Sequence, residues 1–310
     1  MRVLVVGGSG AIGRPLVTAL VAAGHRPVVL ARSEERSAAV RAAGAEVVIG
    51  DVLEPGVLAR AVDRAQPEVV VNQLTNLSRS SSRRALRRGL AATGRLRTEV
   101  PPALARVAAG AGAGRVVTQS IAFAYRPGPG TRVEDDPLYE DGPPQIAAIV
   151  GPLVALERAT LGADGPDGVV LRYGAFYGPG TYYAPDGAFA EMVRRRRLPV
   201  VGRGRGAFGF VHIDDAAAAT VAALTGPPGT YNVVDDHPAP AAQWVPHLAR
   251  LLGAPPPRHV PAPLGRLVAG SYPAYLFDEQ PPVANRRAGE QLGWRPGHPD
   301  WREGFAATFG

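Results

Sequence analysis

Gly7, Gly10 and Gly13 are the chemically most informative residues of the chain. They lie in Gly7-Gly8-Ser9-Gly10-Ala11-Ile12-Gly13, after an apolar run and at the start of a helical pattern. Each glycine has a physical task. A tight turn needs positive φ, a pyrophosphate needs bare backbone N–H, and the helix must pack close to the strand. Strand, loop and helix in that order are the context such a motif requires. The spacing predicts a dinucleotide site, with Ser9, Ala11 and Ile12 completing the loop. The second apolar run ends Leu30-Ala31-Arg32-Ser33, where an NAD site carries an acidic residue for the ribose. Arg32 suits a 2′-phosphate through bidentate, charge-assisted hydrogen bonds, or else stacks on adenine. Ser33 is beside it, and Arg36 follows one turn on. NADP(H) is therefore the expected cofactor. Asp51 would accept from the adenine amino group, with Val52 next to it. Leu74 and Thr75 would face the cofactor after the fourth strand.

These residues need a scaffold, and the pattern supplies one. Apolar runs at 2–6, 27–31, 46–49, 68–72, 114–120 and 168–173 alternate with helical stretches at 11–23, 34–43, 55–65, 83–109 and 146–161. Strands separated by helices of this length imply parallel βαβ units. Continuously apolar strands fit a sheet covered on both faces. The fold class is α/β, a doubly wound parallel sheet of Rossmann type with a smaller C-terminal substrate-binding region. Residues 1–174 form the expected NADP-binding core, to which 206–235 returns as further sheet (206–213) and helix (214–224). Residues 175–205 and 236–310 form the substrate-binding region, and 267–283 can serve as a lid. Asp214 and Asp215 open a helix at its positive end and need no catalytic role.

Composition narrows the function. At 310 residues, 46% hydrophobic and 20% charged, the chain is an ordinary globular protein of one large or two small domains. No cysteine is present, which excludes disulfides and thiolate chemistry. No 18-residue apolar run occurs, and the first apolar stretch ends in glycines rather than a cleavage site; a cytoplasmic protein without membrane contact is expected. The six histidines show no metal spacing. The net charge of +7 comes from arginine alone, because the chain has no lysine. Arg79, Arg83, Arg84, Arg87, Arg88, Arg95 and Arg97 cluster, but no nucleic-acid motif accompanies them. A solvated helix face is the expected reading, with no nucleic-acid partner.

The chain resembles the extended and atypical short-chain dehydrogenase/reductases, the group containing nucleotide-sugar epimerases and dehydratases. The resemblance covers nearly the whole chain. It rests on 7–13, on Gly50-Asp51-Val52, on 171–180 (LRYGAFYGPG), on 210–216 (FVHIDDA), on Leu292-Gly293-Trp294-Arg295-Pro296 and on 301–305 (WREGF). It is specific for the superfamily but not for a substrate. It implies roughly seven parallel strands, often dimers through the helices after strands four and five, and Tyr173 and Phe176 flanking the nicotinamide. The family's chemistry uses Ser or Thr after strand five, then Tyr-x-x-x-Lys on the next helix. Ser120 matches the first position. Alignment on Glu157 places Ile149 and Leu153 where tyrosine and lysine belong, and Ala175 stands where many sugar-nucleotide enzymes carry Asn.

The missing lysine bears on mechanism. A tyrosine near pKa ~10 is about a thousandth ionised at pH 7, a penalty of roughly 4 kcal/mol on reactions that need tyrosinate as base. Carbonyl reduction suffers less, because a neutral hydroxyl or water can donate the proton. Ser120 could then polarise a carbonyl, and Tyr125 either donates a proton or only packs. Tyr177, Tyr182, Tyr183, Tyr272 and Tyr275 either fill core or line a pocket for a flat hydrophobic ligand. Members without the Tyr/Lys pair include ketoreductases of angucyclinone (simocyclinone-type) polyketide pathways, which the chain resembles. The expectation is NADPH-dependent reduction of a ketone in a hydrophobic polycyclic metabolite. A nucleotide-sugar epimerase with bound cofactor, or a non-catalytic NADP(H) sensor, are the alternatives.

Overall fold

Seven short apolar runs pair side by side, all parallel. The computed structural model describes residues 1–76, 83–162 and 165–310, with main chain only for 83–87. In chain order the first part comprises β1 (Arg2–Val6), α1 (Gly13–Ala22), β2 (Arg26–Ala31), α2 (Glu34–Ala42), β3 (Glu46–Ile49), α3 (Val57–Ala65), β4 (Val69–Asn72), α4 (Arg83–Gly110), β5 (Arg115–Ile121), α5 (Pro144–Thr160) and β6 (Asp167–Tyr173). Then follow β7 (Ala175–Tyr177), α6 (Ala188–Arg194), β8 (Val200–Val201), β9 (Ala207–Phe208), β10 (Phe210–His212), α7 (Ile213–Ala222) and β11 (Gly229–Val233). The chain ends with β12 (Ala239–Pro240), α8 (Ala241–Leu251), β13 (His259–Val260), α9 (Ala262–Ala269), α10 (Ser271–Asp278), α11 (Arg286–Leu292) and α12 (Trp301–Phe309).

The sheet runs β11-β6-β5-β4-β1-β2-β3. Its strand order reverses between β1 and β4, the place where open α/β sheets hold ligands beyond the strand ends. Register sets Val6 beside Asn72 and Asn72 beside Thr118. The segments after β1, β4 and β5 therefore open on one edge. Side chains alternate across the sheet. Val3, Val5 and Val117 pack with Leu16, Val17 and Leu20 of α1 on one face, while Leu4, Val6 and Val116 pack with α3 and α4 on the other.

The strand expectations hold for the six N-terminal strands, but residues 206–213 do not return to the main sheet. They form β9 and β10, which pair with β12 and β7. The outer edge of β6 is already taken by β11, with Val169 opposite Gly229. The expected lid, residues 267–283, is tied down in its second part, while Leu267 and Val268 are exposed. The Tyr275 hydroxyl donates to the Tyr125 carbonyl at 2.6 Å, and Gln280 Nε2 donates to the Ala207 carbonyl at 2.8 Å. Among the described residues no helix is long and apolar enough to cross a membrane.

Candidate active site

A cleft of about 1680 Å³ opens at the strand ends. That exceeds the roughly 300–1,000 Å³ of a single small-ligand pocket and leaves room for a dinucleotide with a second molecule. Gly7, Ser9, Gly10, Ala11 and Ile12 line one end of it, with Arg32, Arg36, Asp51 and Val52. Leu74, Thr75, Tyr173 and Phe176 continue the wall. Gly7 has φ +89°, and a Cβ there would stand 2.8 Å from the Gln73 carbonyl oxygen, so the turn requires glycine. Arg32 and Arg36 are exposed, and neither guanidinium has a hydrogen bond or ion pair among the described residues. Asp51 accepts from the Leu53 amide at 3.0 Å.

Two residues assigned to the cofactor stand back from the cleft. Gly13 is a packing residue: a Cβ on it would come within 2.4 Å of the Gly8 backbone. Ser33 caps α2, its side chain accepting from the Arg36 amide.

The catalytic assignment of Ser120 and Tyr125 is corrected by their burial. β5 alternates, so Gln119 and Ile121 line the cleft while Ser120 turns toward α5. Ser120 is 0% exposed and donates to Glu157 Oε1 at 2.6 Å. Tyr125 donates to Asn232 Oδ1 at 2.7 Å and accepts from Arg172 Nη1 at 2.8 Å. Burial, opposed by Arg172, pushes its pKa up to about 12. Both hydroxyls serve one buried network whose centre is the Arg172–Glu157 pair, 2.6 Å apart. Leu153, the expected lysine position, sits in the same apolar cluster as Ile121 and Tyr125. Ser120→Ala and Tyr125→Phe should each leave turnover within about threefold of wild type while lowering stability by about 1–3 kcal/mol. Steady-state rates and urea denaturation test this, and a rate loss of about a hundredfold without a loss of stability would restore a catalytic role.

The aromatic residues divide. Tyr182 and Tyr183 line the far end of the cleft with Phe123, Phe189, Phe208 and Phe277. Tyr177 does not; it packs edge-on against Phe305 and His212 inside a core that includes Trp244 and Trp301. Tyr272 lies behind the wall, its hydroxyl donating to the Phe123 carbonyl at 3.4 Å. Tyr275 is buried in the cluster around Tyr125. The reason is common to all three: a large ring near a site gains more from core packing than from facing water.

Several wall residues escaped the sequence reading. Gln73 and Gln119 line the cleft, and the Oε1 atom of each is buried without a partner among the described residues. Burial without a partner is costly, so open acceptors here mark where a ligand's donors belong. The basic run is not a uniform solvated face. Arg79 lies outside the described residues, as do the side chains of Arg83, Arg84 and Arg87. Arg88, Arg95 and Arg97 line the cleft, and Arg97 is only 8% exposed. Its signal was available: Thr93, Arg97, Val100 and Leu104 fall on one buried stripe of α4, where an arginine is out of place.

Residues 3–233 match the model of the NAD dependent epimerase/dehydratase family. The chain is 48% identical to the 3-diazoavenalumate denitrifying reductase of a Streptomyces species, over 98% of this chain and 99% of that one. It is 28% identical to the ceramide reductase of Caulobacter vibrioides, over 99% of this chain and 90% of that one. Among solved structures, the UDP-glucose 4-epimerase of Thermotoga maritima superposes with a TM-score of 0.76 at 21% identity, covering 100% of this chain and 97% of that one.

Proposed function

Because the chain belongs to the NAD dependent epimerase/dehydratase family, we propose that it is an NADPH-dependent reductase that removes the diazo nitrogen of an aromatic acid as dinitrogen. The observation that carries this is the 48% identity, along nearly the full length, to a reductase named for denitrifying 3-diazoavenalumate. The cleft fits a nicotinamide dinucleotide. The Gly7–Gly10 turn leaves backbone bare for a pyrophosphate, and the open acceptors of Gln73 and Gln119 suit a carboxamide. Arg32 and Arg36, free at the adenosine end, support NADPH over NADH.

NADPH, held by the Gly7–Gly10 turn and Arg32, would supply a hydride whose electron pair would form the new C–H bond as the C–N pair left with N2, the diazonium carbon being reduced and NADPH oxidised to NADP+. The chain's own residues suit a reaction that needs no proton at the reacting carbon. Ketone reduction needs a proton on oxygen as hydride arrives. The described cleft residues include no histidine, and the chain has no lysine. The Tyr173 hydroxyl is bound to Thr220 at 2.7 Å, and burial raises its pKa to about 12. Ile121, Phe123, Phe208 and Phe277 instead offer apolar walls that exclude water from a flat ring.

The test uses NADPH deuterated at C4, prepared as both epimers, with 3-diazoavenalumate. The expected product carries deuterium where nitrogen was, with N2 released in step with NADPH oxidation. Label on a carbinol carbon without N2, from a ketone-bearing metabolite, would replace this reading with ketone reduction. Turnover without net NADPH loss would make it an isomerase, and tight binding with no turnover a sensor. In the same assay Arg32→Ala should weaken NADPH about 10–100-fold and NADH little; equal weakening removes the 2′-phosphate reading.

A further inference from the structure

The Arg97 guanidinium is a buried cation with no counter-charge paired to it among the described residues. It is 8% exposed, lines the cleft, and makes no hydrogen bond or ion pair among the described residues. After burial, the groups that act on its charge are the Tyr272 hydroxyl and then Glu157, the carboxylate among them. Glu157 is already engaged, however. Its Oε1 accepts from Ser120 at 2.6 Å and Arg172 Nε at 2.9 Å, and its Oε2 accepts from Arg172 Nη2 at 2.6 Å. Arg172 matches that charge, which leaves Arg97 over. Burial pulls the Arg97 pKa down to about 10, so it stays charged near neutrality. An uncompensated buried charge is costly, and the cost is recovered when an anion enters.

The position of Arg97 says which anion. It projects from α4, the helix after β4, and lines the cleft together with Phe123, whose carbonyl accepts from the Tyr272 hydroxyl of α10; Tyr272 also acts on the charge of Arg97. The phosphate loop and Arg32 lie at the ends of β1 and β2. Phe123 is part of the apolar far wall. A group held by Arg97 therefore belongs to the second molecule in the cleft, and a planar fork beside an aromatic wall matches a carboxylate on a flat ring system.

We infer that Arg97 is the anion subsite of this cleft and holds the substrate's carboxylate, fixing the aromatic acid by its charged end. The inference rests on the reading of the substrate as an aromatic acid, while its test does not depend on diazo chemistry.

The probes are avenalumate, the nitrogen-free acid that denitrification would yield, and its primary carboxamide, each titrated calorimetrically into the protein saturated with NADP+. Wild type should bind the acid on the order of 100-fold more tightly than the amide. Arg97→Gln should bind both alike while keeping NADPH affinity within about twofold, and Arg97→Lys should restore part of the preference. If Arg97→Gln misfolds, Arg97→Lys decides the matter: it should keep only part of the preference, and a preference kept in full overturns the subsite. A wild type with no preference, whether it binds both probes or neither, overturns the subsite. So does Arg97→Gln that keeps the preference, or that loses NADPH in its place, which would make Arg97 a cofactor residue. A preserved acid preference without N2 release from 3-diazoavenalumate would sink the diazo reading and leave the subsite standing.

Discussion

Glu157→Ala should destabilise the protein by about 3–5 kcal/mol, the usual cost of removing one partner of a buried ion pair. The Arg172 and Glu157 side chains are 7% and 8% exposed, and their contact is bidentate. Without the carboxylate, Arg172 keeps its bonds to the Tyr125 hydroxyl and to the Glu134 carbonyl, at 2.8 and 2.9 Å. Neither carries a negative charge. Arg97 feels Glu157 as well, so the variant leaves two buried cations facing one another's field. Ser120 loses its acceptor in the same step. Urea denaturation measures the loss, provided the slope is unchanged. Glu157→Ala combined with Arg172→Met should recover part of it, because removing both charges is cheaper than stranding one. A loss below about 1 kcal/mol would mean the pair behaves as a solvated surface bridge.

Gly13→Ala should abolish tight nucleotide binding, with NADPH affinity falling more than about a hundredfold. A methyl group at Gly13 would lie 2.4 Å from the Gly8 Cα, carbonyl carbon and oxygen. Backbone cannot yield as a flexible side chain does, so either α1 or the turn before it must move. The turn is the part that lines the cleft. Gly10→Ala is the contrast: its nearest neighbour, the Gly7 carbonyl oxygen, is at 3.3 Å, so the backbone needs to give only slightly. Fluorescence titration with NADPH compares the two. Gly13→Ala binding within about threefold of wild type would dismiss the close helix–strand approach as the basis of the loop.

The two variants also separate what is local from what is assembled. Gly13 acts on Gly8, five residues away, and a motif of that span can be read directly. Glu157 acts on Arg172 across 15 residues and through it on Tyr125 across 47. No spacing rule links such residues, because only the pairing of β5 with β6 brings Ser120 opposite Arg172.

The sequence by itself determined the six N-terminal strands, the helices between them and the glycine turn after β1. Turn, phosphate loop and the residues after β2 and β3 are set by glycine stereochemistry and by strand-end position, both local properties. Tertiary structure decided which residues face the cleft beyond β5. β5 carries Thr118, Gln119 and Ser120 near its end, with polar side chains on both faces, so its pattern carries no parity, and the choice of Gln119 and Ile121 over Ser120 awaited the packing of α5. It also decided that Tyr177, Tyr272 and Tyr275 stay out of the cleft, since residue type alone does not say which rings the packing draws into the core. Arg97 combines both cases. Its place on the buried stripe of α4 was legible, but its lack of a partner among the described residues was not, because Glu157 is claimed by Arg172 only once the sheet has formed.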